Sequence, residues 1–187
     1  MIVLLLAALI AVPRPPQGGA PAKDAGAQQL SDVELRERVE TYLGALDRPV
    51  PKERWKALGP RAAPILEAVI ADSSQFPTRR AKAVDGLVAA APDRAAQLVG
   101  TLAQDEKQPP VVRVAAMHGT SQVLSAPRAL TELRPILTGA RSMGLRAEAA
   151  DLISRKSGGC AEVRAQVARE KAQHRGAFDR AMKRCKE

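Results

Sequence analysis

The stretch Pro110-Val111-Val112-Arg113-Val114-Ala115-Ala116-Met117-His118-Gly119 decides the fold. A polar turn with Pro127 follows it, then a second apolar run ending Arg134-Pro135-Ile136-Leu137. Apolar residues recur at helical spacing on both sides of the turn, so the stretch reads as two short antiparallel helices. The first of these recurs along the chain. Arg80, Arg113 and Arg146 stand 33 residues apart, each followed by Ala81, Val114 or Ala147 and then by Ala83, Ala116 or Ala149. A fixed period of roughly 20–50 residues marks stacked helical units that hide their apolar faces against one another.

A second helix alternates with the first. Pro60-Arg61-Ala62-Ala63 precedes Ile65, Leu66 and Val69; Pro92-Asp93-Arg94-Ala95-Ala96 precedes Leu98, Val99 and Leu102. Pro127-Arg128-Ala129 precedes Leu130, Leu133, Ile136 and Leu137, and Ala161-Glu162-Val163-Arg164 precedes Val167. Proline suits a first helical turn, where its missing N–H has no partner to lose. Pro64 fits such a turn, whereas Pro135 is expected to kink or end its helix. First helices are expected over residues 78–91, 110–125 and 142–156, joined to the second helices by turns of about 2–8 residues.

Composition agrees with an all-helical chain. Alanine is abundant, and Trp55, Tyr42, Phe76 and Phe178 are the only aromatic residues. Alanine is the best helix former and lets helices approach closely. The alternation of β-branched and aromatic residues that marks strands is missing. At 187 residues the chain has room for one domain and a leader.

Residues 2–12 form an unbroken apolar run ended by Pro13 and Arg14. A membrane-spanning helix needs about 17–25 apolar residues, so this run suits the apolar part of a secretory signal peptide instead. No Lys or Arg precedes the run, and the best small-residue cleavage site, Ala25-Gly26-Ala27, lies far downstream. We expect residues 1–27 to be a signal peptide or apolar leader with a Pro/Gly-rich tether, cleaved or kept as a membrane anchor. Residues 31–187 form the folded domain. It opens at Ser31-Asp32-Val33-Glu34, a capping box that leads into Leu35, Val39, Tyr42, Leu43 and Leu46 at helical spacing. Pro49 and Pro51 stop that helix, and a short one over residues 52–58 carries Trp55, expected to cover the end of the first repeat.

The alternation of a Val-Arg-x-Ala-Ala helix with a Pro-x-Arg-Ala helix resembles the HEAT-like repeats of the armadillo group, from about Trp55 to Met182. The resemblance implies a short right-handed α-solenoid of about four antiparallel helix pairs, with the second helices on the concave side. It also implies a protein-binding scaffold, since enzymes and DNA-repair glycosylases are a minority of that group. Four pairs are few, which points to a small contact surface.

Cys160 and Cys185 are the only cysteines. One continuous helix would hold them about 37 Å apart at roughly 1.5 Å per residue, too far to bond. A break at His174-Arg175-Gly176 makes Cys160 open one helix and Cys185 close the next, antiparallel one. A disulfide stapling the C-terminal cap is therefore expected, and it suits an exported, periplasmic or extracellular protein.

Little supports an enzyme. The histidines are His118 and His174, with no His-Glu-x-x-His, no Cys-x-x-Cys and no Gly-Lys-Ser/Thr loop. His118 occupies the slot that Asp85 and Asp151 fill one period away, so it reads as a polar position of the repeat. No cofactor and no metal are expected.

Arg61, Arg94, Arg128 and Arg164 recur near second-helix starts, where a cation opposes the helix dipole. Two readings stand: pairing with carboxylates of an adjoining repeat such as Asp93 or Glu162, or an anion-recognising ridge. The net charge is +9, and residues 155–187 hold ten Lys/Arg against four Asp/Glu. The expected function is an exported, non-catalytic, monomeric scaffold that binds another protein. The alternative is a cytoplasmic repeat protein binding nucleic acid, or an anionic surface, through the basic C-terminal helices. Scarce aromatics count against single-strand binding, which stacks bases on them.

Overall fold

A computed structural model describes residues 30–45 and 49–186. The expected leader and tether, and Leu46 of the first stripe, lie outside the described residues. Every regular element among the described residues is helical. Helix α1 (Asp32–Gly44) begins with the expected capping box: the Ser31 hydroxyl accepts from the Glu34 N–H at 3.3 Å, and Glu34 Oε2 accepts from the Ser31 N–H at 2.8 Å. Leu35, Val39 and Leu43 bury its apolar stripe.

Helix α2 (Lys52–Leu58) and a 3-10 turn (Pro60–Ala62) lead into α3 (Ala63–Ala71). Then come α4 (Pro77–Ala90), α5 (Pro92–Gln104), α6 (Pro110–Val123) and α7 (Ala126–Gly139). The C-terminal part holds α8 (Met143–Ile153), α9 (Gly159–Arg169), a 3-10 segment (Ala172–Phe178) and α10 (Asp179–Arg184). Proline lies in the first turn of each helix from α3 to α7, where it costs no hydrogen bond.

Helix α4 packs on α2 and α6, and α6 on α8, while α5 packs on α7 and α7 on α9. Between these two rows lies the core, with Leu66, Val84, Leu87, Val99, Val112, Met117, Leu133, Ile136 and Ile153 almost wholly sheltered. Full burial of one such side chain is worth about 1.5–3 kcal/mol. The alanines of the period sit where the rows meet: Ala83, Ala116 and Ala149 are each at 0% exposure.

The recurrent arginines join the rows. Arg80 donates through Nε to the carbonyl of Ile70 at 2.8 Å, and Arg113 likewise to Ala103 at 2.9 Å. Arg146 donates through Nη1 to Ala140 at 2.8 Å. In each case a first-helix cation meets a carbonyl that the end of the preceding helix leaves without an intrahelical donor. The 33-residue period is therefore also a period of helix C-terminal caps.

Two local expectations are corrected. Pro135 does not end its helix, because α7 runs on to Gly139. Pro135 lies on the exposed face, where water can serve the carbonyl that loses its donor. The C-terminal break falls at Glu170, not at His174-Arg175-Gly176: α9 stops at Arg169 and Glu170 is extended, with φ −70° and ψ 145°. The Glu170 carboxylate is committed to Arg146 of α8 at 2.6 and 2.8 Å, which fixes the chain there.

Cys160, in the first turn of α9, and Cys185, at the end of α10, are joined by a disulfide with Cα atoms 5.3 Å apart. The turn into α9 needs glycine. Gly158 is left-handed at φ 83°, and a Cβ on Gly159 would stand 2.0 Å from the Ile153 carbonyl oxygen.

Candidate functional site

A groove of about 970 Å³ runs across α2, α4 and α6, on the first-helix side of the described residues. Its apolar wall comes from Val50, Trp55, Val88, Val111 and Val114. These valines are present because helical spacing places two kinds of apolar position on α6. Val112 and Ala116 turn inward to full burial, whereas Val111 stays 41% exposed. Trp55 is 4% exposed, packed edge-on to Tyr42 at 5.1 Å between ring centroids. Its burial places it as a wall of the groove and a cover for α4.

Polar groups enter the groove from three helices. Lys52 of α2 reaches across to α6, donating from Nζ to Gln122 Oε1 at 2.9 Å. Lys56 stands on the same edge. Asp85 of α4 keeps an open side to water, yet the surrounding walls raise its carboxyl above the usual carboxylate range; the charges of His118 and Lys52 oppose that rise. His118 turns outward from the groove bottom to α8, with Nε2 2.8 Å from Glu148 Oε1.

The slot shared by Asp85, His118 and Asp151 thus takes three different roles. Asp151 is 3% exposed and meets Arg155 at 2.5 Å and Arg184 of α10 at 3.5 Å, so there it anchors the C-terminal cap.

The four arginines singled out by the sequence do not converge. Arg61 donates to Asp32 Oδ1 at 2.5 Å and to the Leu30 carbonyl at 2.7 Å, fastening α1. Arg94 forms a two-pronged pair with Glu67 of α3, at 2.7 and 3.0 Å. Arg164 donates to the Cys185 carbonyl at 2.9 Å. Arg128 lines a smaller cleft beside Asp93 and Glu132, with no ion pair among the described residues. The carboxylates differ from those expected: Glu162 serves Arg134, at 2.6 and 2.9 Å, and not a second-helix start. Together with Gln104 donating to Glu132 at 2.7 Å, these pairs stitch α3, α5, α7 and α9 side by side.

The basic C-terminal part is engaged in part: Arg155 and Arg184 face Asp151, Lys156 donates to the Ser121 carbonyl, and Arg175 to that of Glu170. Among the described residues no group of three or more His, Cys, Asp or Glu is close enough to hold a metal ion, and no helix is long and apolar enough to cross a membrane.

Lys52, Lys56 and Gln122 were not singled out by sequence reasoning. No periodicity marks them, since they meet only after residues 70 positions apart are brought together. Asp85 was visible as a member of the repeating slot, but its place in a groove was not. No protein-family model, curated protein or solved structure matches the chain.

Proposed function

We propose that this chain is an exported, non-catalytic scaffold that captures another protein in the groove between α2, α4 and α6. In this reading the two helix rows are a short right-handed HEAT-like solenoid of about four antiparallel pairs, working as a monomer. The observation that carries the proposal is the groove itself: a large concave surface with an apolar wall and a few polar groups, the usual make-up of a binding cleft.

Three features support the rest. On the second-helix face Arg94 and Arg134 are paired with Glu67 and Glu162, which leaves fewer free groups there for a partner. Export accords with the Cys160–Cys185 bond, because disulfides persist in oxidising compartments. A binding role accords with His118 of the groove being held by Glu148 of α8 at 2.8 Å.

Photo-crosslinking tests the location. A photoreactive side chain at Val114, in the full chain expressed in cells, should yield a defined protein adduct; one at Thr138, on exposed α7, should not. Val114→Asp should remove capture when the crosslinker is placed at Val111. Adducts only at Thr138, or none at either groove position, would overturn the proposal.

A further inference from the structure

At the α2 edge of the groove stand two lysines that touch no carboxylate among the described residues. The Lys52 ammonium is held by the neutral amide of Gln122, and Lys56 has no hydrogen-bond or ion-pair partner among the described residues. Several arginines of the fold meet a carboxylate directly, as Arg94 does Glu67, Arg134 Glu162 and Arg146 Glu170. The Gln122 amide satisfies a donor of Lys52 but brings no opposite charge, which a carboxylate in its place would add. The α2 edge is therefore a pair of positive charges beside an apolar wall, with Asp85 of α4 as the one carboxylate of the described lining.

We infer that the groove takes an acidic, apolar segment of a partner protein, whose carboxylate replaces Gln122 at Lys52 and faces Lys56 beside it, while its aliphatic side chains lie on Val88, Val111 and Val114. This rests on the groove being the binding surface. Asp85 gives the segment its register. A partner carboxylate on the α4 side would face Asp85 and be repelled, whereas one at the α2 edge meets Lys52 and Lys56 first. The occupant is thus an apolar strip with its acidic residue at one margin, and Asp85 and the lysines act on it with opposite sign.

The test is selection of a displayed library of short random peptides against the full, disulfide-bonded chain, followed by affinity measurement on the selected peptides. Selected peptides should combine Asp or Glu with Leu, Ile, Val, Met or Phe. Lys52→Gln with Lys56→Gln should weaken their binding about tenfold, with most of the loss erased at high salt. Asp85→Asn should strengthen it severalfold, and Val114→Asp should abolish it. Circular dichroism of each variant confirms that it is folded.

Peptides that compete with one another and are lost in V114D, but carry no acidic residue, would overturn the acidic inference and leave the groove as the binding surface. Peptides unaffected by V114D would remove both.

Discussion

Arg113 donates through Nε to the carbonyl of Ala103 at 2.9 Å, reaching back from the first turn of α6 to the end of α5. The guanidinium is buried at 7% exposure, so neither partner has water to turn to. Arg113→Met keeps most of the stem packing and removes the donor. It should lower stability by about 2 kcal/mol, the cost of stranding a buried acceptor. Urea unfolding followed by circular dichroism measures this, and a change within about 0.5 kcal/mol, as at an ordinary surface site, would refute the capping role.

Glu170 gives the fold an acid-sensitive contact. Its carboxyl is pulled down from 4.5 to about 2, first by its hydrogen bonds to Arg146, against the opposing effect of burial. A lowered folded-state value means that its stabilisation is complete above about pH 4.5 and drains away as the pH falls toward 2. Glu170→Gln should therefore destabilise the protein at pH 7 by about 2 kcal/mol, the scale of a lost charge-assisted bond. The same variant should show a shallower loss of stability between pH 4.5 and pH 2 than the parent. Parallel acid limbs would show that the carboxylate does not carry this dependence.

The Cys160–Cys185 bond spans 25 residues. Chain-entropy reasoning assigns it about 3 kcal/mol, acting mainly on the unfolded chain. Replacing both cysteines by serine should lower the thermal midpoint and admit proteases first to residues 170–186, while α4 to α7 stay protected. Peptide mapping of the untreated protein should recover the two cysteines as one linked species.

Gly86 lies under the indole of Trp55, where an added Cβ would stand 3.0 Å from Cε3. Gly86→Ala must move the ring, at a cost of about 1–3 kcal/mol for overpacking. Trp55 is the sole tryptophan, so its fluorescence reports directly. A shift to longer wavelength is expected as the ring is lifted toward solvent; an unchanged spectrum with unchanged stability would mean that the ring has room to spare.

Charge reversal at Arg94 and Arg128 separates the two faces. Arg94→Glu breaks an exposed pair with Glu67, and such pairs are worth under about 1 kcal/mol. If the groove on the α2–α4–α6 side is the working surface, the double variant R94E/R128E still captures its partner. Loss of capture without unfolding would restore the arginine ridge.

What the sequence made legible follows from how local each feature is. The Arg80–Arg113–Arg146 period located three helices, because an arginine and the small residues after it sit in one turn and depend on neighbours six to ten residues back. The Ser31–Glu34 box was equally local. Pro135 misled because the rule against proline inside a helix assumes a carbonyl cut off from water, and this one lies on the outer face. The C-terminal break was misplaced because Glu170, not a glycine, fixes it, through an arginine 24 residues earlier. The groove was illegible for a further reason: its walls come from three helices, and no single stretch carries the pattern of an opening between helices.

The C-terminal disulfide has a mechanical consequence. Residues 160 and 185 are fastened covalently, whereas α1 is held at the opposite end without a covalent tie, by its apolar stripe, by Arg61 on Asp32 and Leu30, by Arg79 on Glu40 and by Lys82 on the Ala45 carbonyl. The molecule is tied off at one extremity and merely laid down at the other. Fraying under heat, tension or denaturant therefore starts from α1 and travels toward the knot, and Trp55 with its groove wall is among the first things it reaches.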